Sequence, residues 1–173
     1  MTPGFRFVSF DPVEPSDLCE LREMARKIWP VVYRDIISDE QIEYMLELMY
    51  SPTRIAEEIK KSGIHYDWIL KHRERVGFLA YGPVCKSKVC DLHKLYLLPG
   101  HRGMGLGSFT LQSLFRKLRA AEVCRLSLRV NRHNTSAIRC YEHNGFRKTG
   151  EDCLDIGGGH VMDDFLMSRQ MIA

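Results

Sequence analysis

Apolar residues recur at helical spacing through the first third of the chain, after one short β-type run. That run, residues 5–10, predicts a strand. Apolar positions then repeat every three or four residues over 18–29, which predicts a helix that Pro30 bends or ends. Two further helices are predicted from their N-terminal signals: Ser38 begins a capping box, and Ser51 precedes a proline suited to the first helical turn.

After residue 63 the pattern changes to short β-type runs and two more helices. Strands are predicted over 66–70, 76–81, 89–98, 125–130, 146–154 and 161–167. The first two form a hairpin across a polar turn. Helices over about 105–121 and 135–144 separate later strands, and such strand–helix–strand steps imply parallel pairing. We therefore expect one α+β domain over residues 1–173, with a mixed, mostly antiparallel sheet of about seven strands and flanking helices.

The most informative stretch is a glycine-rich turn between a predicted strand and a predicted helix. It runs from Leu95 to Gly107 as Leu-Tyr-Leu-Leu-Pro-Gly-His-Arg-Gly-Met-Gly-Leu-Gly. Its glycines remove the side chains that would keep an anion from backbone N–H groups, and the helix start adds partial positive charge. The turn lacks the lysine of a P-loop and the glycine spacing of a dinucleotide-binding loop. An ordinary β–α turn is the alternative interpretation.

Two motifs carry a resemblance to a known family. Arg102-x-x-Gly105-x-Gly107, preceded by Leu-Tyr-Leu-x-Pro, resembles the pyrophosphate loop of the GNAT family, the acetyl-CoA-dependent N-acetyltransferases. The segment 128–146 resembles a later motif of that family, in which a strand ending in valine precedes N-x-x-A, a tyrosine and glycine-phenylalanine. The matching positions are Val130, Asn134, Ala137, Tyr141, Gly145 and Phe146. Both motifs stand in the family's order, and the resemblance covers residues 89–146 most clearly.

The resemblance implies a fold with a splayed pair of parallel strands at the cofactor site. It also implies that a primary amine attacks the thioester of acetyl-CoA directly, in a ternary complex. Tyr141 would then donate a proton to the departing thiolate, because a phenol suits that role. A core aromatic is the alternative for Tyr141, and Asn134 is also a candidate helix N-cap. The implied cofactor-binding residues are Leu95, Leu97, Arg102, Gly103, Met104, Gly105, Leu106, Gly107, Asn131, Asn134 and Tyr141.

The general base is left open by the sequence. His93 is the candidate, because strand alternation puts it on the same face as Leu95 and Leu97, and imidazole relays protons near neutral pH. A structural histidine is the alternative. The family often carries a glutamate on this strand where this chain has Lys94. The histidines and the six cysteines have no paired ligand spacing, so no metal site is expected.

Charge is divided between two regions, although the formal net charge is only +3. Residues 35–58 carry seven acidic groups and one basic group, whereas residues 94–148 carry eleven basic and two acidic groups. The acidic region falls in the helices that wall the acceptor groove of the resembled family. Residues 29–46 are similar to bacterial polyamine acetyltransferases, and this similarity implies a cationic acceptor such as a polyamine. Its substrate-side candidates are Tyr33, Asp39 and Tyr44.

Alternatives to these interpretations stay open. The acidic groups could all face solvent, and Tyr44 could be a core residue. Acetylation of a protein N-terminus or lysine is a second function, and a non-catalytic acyl-CoA-binding module is a third. A homodimer is left open as an assembly.

Composition and the absence of certain segments indicate the class of protein and its expected compartment and partners. Contents of 45% hydrophobic and 27% charged residues are typical of a globular chain. The sequence has no apolar run of membrane-spanning length and no signal-type apolar core near its start, so a cytoplasmic protein with reduced cysteines and no membrane partner is expected. Its basic residues coincide with the cofactor half and lack a base-reading motif, so no nucleic-acid partner is expected.

Overall fold

Seven strands form one sheet with helices on both faces, as a computed structural model describes it for residue 5 and residues 7–171. The strands are β1 Val8–Pro12, β2 His65–Lys71, β3 Glu74–Tyr81, β4 Val89–Leu97, β5 Arg125–Asn131, β6 Arg147–Gly157 and β7 His160–Gln170. The helices are α1 Leu18–Val32, α2 Asp39–Tyr50, α3 Pro52–Lys60, α4 Leu106–Ala120 and α5 Thr135–His143. The strand order is β1-β2-β3-β4-β5-β7-β6, and only β4 and β5 pair in parallel within these described ranges.

The elements confirm the predicted order, with differences at their ends. β1 begins at Val8, later than predicted, and residue 6 of the predicted strand lies outside the described residues. α1 continues through Pro30 and ends at Val32. Pro30 lies in the last turn of α1 and has no backbone N–H to donate to a helical hydrogen bond. The helix therefore ends soon after it. Since α1 ends at this point, Tyr33 is placed as its C-cap residue.

The parallel strands β4 and β5 separate halfway along their length. Their pairing begins at Val89 with Arg125 and ends at Leu92 with Leu128. Beyond Leu92, no described strand pairs with the edge of β4 that faces β5. Backbone polar groups on that edge therefore face the opening between the two strands. The splayed parallel pair that the resemblance implied is confirmed.

A β-bulge interrupts β4 at His93. In the ladder with β3, Lys94 and Leu92 pair with consecutive residues, which leaves His93 as the extra residue. Leu92 and Leu95 consequently pack against the same apolar cluster, although regular alternation would point them to opposite faces. The alternation that predicted His93 on the face of Leu95 and Leu97 is therefore wrong across this bulge.

Two apolar clusters lie on the two faces of the sheet. One packs α4 and α5 onto the strands and includes Leu111 and Phe115. The other packs α1, α2 and α3 onto the strands and includes Leu46 and Trp68. Across residues 7–171, every helix is too short or too polar to span a membrane.

Candidate active site

A cavity of about 600 Å³ opens where β4 and β5 separate. This volume is in the range of small-molecule binding sites. One wall is aromatic and comes from the first helices and β4; it consists of Trp29, Tyr33, Tyr50 and Tyr96. The opposite side is formed by β5, α5 and β7. The side chain of Gln41 holds α2 against β7 by donating a 2.7 Å hydrogen bond to the carbonyl of Val161.

Two tyrosines join the end of α1 to β4 within this wall. The hydroxyls of Tyr33 and Tyr96 lie 2.9 Å apart. The ring of Tyr33 also packs against Trp29, with 4.7 Å between the ring centroids. Burial raises the pKa of both phenols, so both hydroxyls stay protonated at neutral pH. Of the three residues predicted on the acceptor side, Tyr33 is the one that lines the cavity.

Tyr141 reaches the cavity from the last turn of α5. That helix is positioned by Asn134, whose side chain accepts a 3.2 Å hydrogen bond from the backbone N–H of Ala137 and so confirms the predicted N-cap. Tyr141 is 9% exposed, and its ring also packs edge-on against Phe146. Burial raises the pKa of Tyr141 well above its ordinary value. The hydroxyl therefore carries its proton at neutral pH and can act as a donor.

The glycine-rich turn forms an open helix start. Gly103 and Gly105 have φ angles of +74° and +79°, in the left-handed region that favours glycine. Gly105 is the N-cap of α4 and supplies no side-chain cap, so backbone N–H groups of the first turn lack an intrahelical partner. A Cβ built on Gly103 would meet nothing within 4 Å, which shows that this side of the turn is open. The turn therefore fits an anionic group.

The other predicted residues of the turn differ in their surroundings. Met104 is 49% exposed, whereas the side chain of Leu106 is buried in the core beneath α4. Arg102 is partly exposed beside them. Gly107 faces inward, because a Cβ there would lie 3.5 Å from the Sγ atom of Cys140. Leu106 and Gly107 can thus contribute backbone groups, but not side chains, to a ligand on the surface of the turn.

His93 lines the cavity at the bulge, and its ring is already engaged. Its Nε2 atom lies 2.5 Å from the carbonyl oxygen of Gly82. Leu95 lines the cavity as well, while Leu97 is half-buried further along β4. At the end of β5, Asn131 lines the cavity and uses its side-chain oxygen to accept a 2.9 Å hydrogen bond from the N–H of His133.

Two predicted acceptor-side residues lie away from the cavity. Asp39 is exposed in the first turn of α2, and neither it nor Tyr44 is among the residues that line the cavity. Tyr44 instead donates a 2.7 Å hydrogen bond to the carbonyl of Ile156 and packs against the turn between β6 and β7. In α2 the side chain of Asp39 is turned toward solvent and that of Tyr44 toward β6, so their role on the acceptor side stays a prediction.

Most of the acidic region faces outward. Glu43 pairs with Arg26 at 3.1 Å, and Glu47 pairs with Arg22 at 2.5 Å, on the outer surfaces of α1 and α2. The alternative interpretation, that acidic groups face solvent, is therefore correct for Glu43 and Glu47. The excess of acidic residues in the sequence therefore does not describe the charge of the cavity.

Glu58 is a buried carboxylate of the cavity that the sequence did not single out. It lies 2.7 Å from the Nζ atom of Lys94 and 3.1 Å from the guanidinium of Arg54, and it accepts a short hydrogen bond from Tyr66. Burial by itself would raise the pKa of Glu58, but the charge and hydrogen bond of Lys94 hold it below its ordinary value. With two cations beside it, Glu58 is already neutralised.

Asp164 is the second buried carboxylate that sequence reasoning missed. It is 4% exposed, lines the cavity from β7 and pairs with Asn131 at the end of β5. Burial raises its pKa to about 6. A signal for it exists in the sequence: Asp163 and Asp164 are consecutive in an apolar strand, and alternation turns one of them inward.

Comparisons with known proteins are consistent with this geometry. Residues 19–146 match the sequence model of the acetyltransferase (GNAT) family. An uncharacterized N-acetyltransferase of Mycobacterium tuberculosis is 26% identical over 159 residues, which cover 91% of this chain and 99% of that protein. The spermidine N(1)-acetyltransferase of Thermoplasma acidophilum is 27% identical over 143 residues, which cover 80% of this chain and 88% of that protein.

The fold is also that of a solved structure. The PaiA N-acetyltransferase from Thermoplasma acidophilum, in complex with coenzyme A, aligns with a TM-score of 0.79 and 24% identity. The alignment covers 94% of this chain and 98% of that chain. This likeness shows that the two chains share an architecture, including the position of the sheet and its helices.

Proposed function

The chain belongs to the acetyltransferase (GNAT) family, and on this premise we propose that it acetylates a primary amine of a small cationic molecule, with acetyl-CoA as the donor. When bound, acetyl-CoA supplies the reactive acetyl thioester. The observation that carries the proposal is the opening between β4 and β5, because an unpaired strand edge and the protonated Tyr141 border the same cavity there. Direct attack by the amine in a ternary complex needs such a shared space.

The donor would be held by backbone groups. The backbone N–H groups of the turn from Gly103 to Gly107, with the charge of Arg102, suit a pyrophosphate. The unpaired edge of β4 at Leu95 and Leu97 suits an amide-bearing chain such as pantetheine, since both can exchange backbone-type hydrogen bonds. Asn131 and Asn134 border the end of the cavity where the acyl group would lie.

Tyr141 is the proposed general acid of the reaction. Its hydroxyl would give a proton to the thiolate as the amine replaces it, and the raised pKa of Tyr141 keeps that proton in place until then. The role of His93 as the base stays a prediction. Its imidazole borders the cavity, and the contact with the carbonyl of Gly82 fixes how the ring is turned.

A cationic acceptor is supported by the aromatic wall and by one carboxylate of the cavity, Asp164. Aromatic faces attract ammonium groups, and the rings of Trp29, Tyr33, Tyr50 and Tyr96 line one side of the cavity. Glu58 is neutralised by its cationic neighbours, whereas Asp164 has no ion-pair partner within the described part of the chain. The spermidine N(1)-acetyltransferase among the relatives makes a polyamine the first acceptor to test.

A thiol-release assay with acetyl-CoA tests this function. The acceptor panel should contain spermidine, a neutral-tailed primary amine and a tripeptide with a free N-terminus. We expect turnover of spermidine, with a KM that rises as salt screens the attraction between the amine and Asp164. Turnover of the tripeptide without turnover of spermidine would contradict the cationic acceptor and favour protein acetylation. Calorimetric binding of CoA without turnover of any amine would instead indicate a non-catalytic module.

A further inference from the structure

Asp164 is a cavity carboxylate that neither the family motifs nor the predicted site residues assign. It stands on β7 opposite Asn131, at the point where β5 has left β4, and its side chain is almost completely buried. We propose that Asp164 is the general base that takes the proton from the ammonium group of the acceptor. This inference rests on the proposed function and adds to it the group that makes the amine nucleophilic.

The surroundings leave this carboxylate free to accept a proton. Charged or titratable groups on four elements act on it electrostatically: Tyr33 at the end of α1, Arg129 on β5, Asp152 directly opposite on β6, and Asp163 on its own strand but turned to the other face. Arg129 forms an ion pair with Asp152. A salt bridge of 2.5 Å joins Asp163 to Arg132, outside the residues that line the cavity. Asp164 therefore forms no salt bridge within residues 7–171.

The other two candidate bases are less available to accept a proton. Glu58 is contacted by both Lys94 and Arg54, and protonation would disrupt that arrangement. His93 already contacts the carbonyl of Gly82 through Nε2. Burial of Asp164, opposed by Arg129 and reinforced by the negative charges of Asp163 and Asp152, raises its pKa to about 6. Such a carboxylate is ionised at pH 7 and is still a better proton acceptor than an ordinary one.

The acceptor loses a proton before it attacks the thioester. The N–H bond of the acceptor ammonium breaks, the proton passes to a carboxylate oxygen of Asp164, and the electron pair stays on nitrogen. That pair forms the C–N bond to the acetyl carbonyl carbon, and the C–S bond breaks with its electrons on sulfur. Tyr141 protonates the sulfur and regains a proton from the nitrogen, which becomes a neutral amide. Asp164 then releases its proton to water.

The test is the pH dependence of kcat/KM in wild type and in Asp164→Asn, with the best acceptor of the panel named above. In wild type, the pH profile of kcat/KM should have an acidic limb. On this limb kcat/KM decreases as the pH falls below about 6, because Asp164 becomes protonated. In Asp164→Asn, the rate at pH 7 should drop about a hundredfold or more, and the limb should move toward about pH 10, where an alkylammonium loses its own proton. A wild-type limb that persists in the variant would overturn the proposal.

Substitutions of two neighbouring carboxylates test whether the limb belongs to Asp164. Asp163→Asn removes a carboxylate that does not line the cavity but raises the pKa of Asp164, so the limb should persist and move to lower pH. Asp152→Asn removes a negative charge that raises the pKa of Asp164 and frees Arg129, so the limb should move to lower pH. If His93→Ala rather than Asp164→Asn abolishes the limb, His93 is the base and the proposal is wrong.

A direct titration separates this inference from the proposed function. Carboxyl ¹³C NMR of labelled wild type should contain one resonance that titrates near pH 6 and is missing from Asp164→Asn. If no amine of the panel is acetylated while this resonance is found, the proposed function fails and the titration of Asp164 stands. If amines are acetylated but Asp164 titrates near the ordinary value of 3.8, the function stands and the inference fails.

Discussion

The hydroxyl of Tyr33 lies 2.9 Å from the hydroxyl of Tyr96. This contact joins the C-cap of α1 to β4, just beyond the point where β4 separates from β5. It therefore links the helical wall of the cavity to the free strand edge. Since the two residues lie on different elements, their contact holds these two parts of the cavity wall together.

The Tyr33–Tyr96 hydrogen bond should contribute a measurable coupling energy. Tyr33→Phe and Tyr96→Phe each remove one hydroxyl and leave the ring packing in place. In a double-mutant cycle of urea unfolding, we expect a coupling of about 1 kcal/mol, typical of a hydrogen bond between neutral groups. Strictly additive free energies of unfolding would show that the two hydroxyls do not interact.

Tyr141→Phe should keep the fold and the affinity for acetyl-CoA but lose about a hundredfold or more in turnover, because the proton donor is removed. Thiol release measures the rate, and calorimetry measures CoA binding. Tyr44→Phe is a matched control, since the Tyr44 hydroxyl bonds to Ile156 outside the cavity. It should change turnover little. Undiminished turnover in Tyr141→Phe, with only a lower melting temperature, would make Tyr141 a packing residue.

Gly103→Asp should weaken CoA binding more than Gly103→Asn. Both residues tolerate a positive φ, and the side chain at this position meets open space, so the fold should survive in both. Only aspartate adds a negative charge beside the pyrophosphate, and we expect a dissociation constant roughly tenfold higher at low salt. The difference between the two dissociation constants, measured by calorimetry, should become smaller as the salt concentration rises. Equal affinities would place the pyrophosphate elsewhere.

This pair of variants avoids a complication at Gly105. A bulky residue there would be strained by the φ of +79°, and its Cβ would lie 3.3 Å from the ring of Phe5. Loss of CoA binding in such a variant would mix backbone strain with loss of the ligand contact. Gly103 has the same backbone conformation but no neighbouring side chain to displace.

The buried pair of Glu58 and Lys94 should be costly to break from one side. Lys94→Met leaves the Glu58 carboxylate buried beside a single, more exposed arginine, and we expect a loss of about 3–5 kcal/mol in the free energy of unfolding. The double variant with Glu58→Gln should recover part of this loss. No recovery would show that packing of the lysine stem, and not charge, accounts for the effect.

Acid should weaken wild type through the same pair. Because the pKa of folded Glu58 lies below its ordinary value of 4.5, its stabilising contribution is present above that pH. The contribution is lost as the pH falls through the folded pKa. Glu58→Gln lacks this dependence on pH. The difference in the free energy of unfolding between this variant and wild type should therefore shrink below about pH 4.5. Urea unfolding at several pH values measures both curves.

Asp164→Asn should have the opposite dependence on pH. The folded pKa of about 6 lies above the ordinary value of 3.8, so folded Asp164 holds more protons between these values. Wild-type stability therefore falls as the pH rises through this window. The variant should gain roughly 1–3 kcal/mol relative to wild type from pH 4 to pH 7. A pH-independent difference in the free energy of unfolding would contradict the raised pKa.

The sequence by itself determined the order of the elements and the places of the two family motifs. Ser38 and Asn134 cap their helices as predicted, and Gly103 and Gly105 adopt the positive φ angles that a tight β–α turn requires. These features depend on residues close together in the chain, since caps, glycine turns and apolar periodicity are local interactions. Tyr141 was singled out because residues 128–146 resemble a motif of the family.

Only the tertiary structure decided which charged groups face the cavity. Asp164 and Asn131 are brought together by the register of β7 against β5, and Glu58 meets Lys94 through the packing of α3 on the sheet. The bulge at His93 depends on the ladder with β3. Residues far apart in sequence set these relationships, and a shift of one residue in a strand reverses the face of every side chain. Helical spacing could therefore put Asp39 off the apolar stripe of α2, but could not show where the cavity lies relative to it.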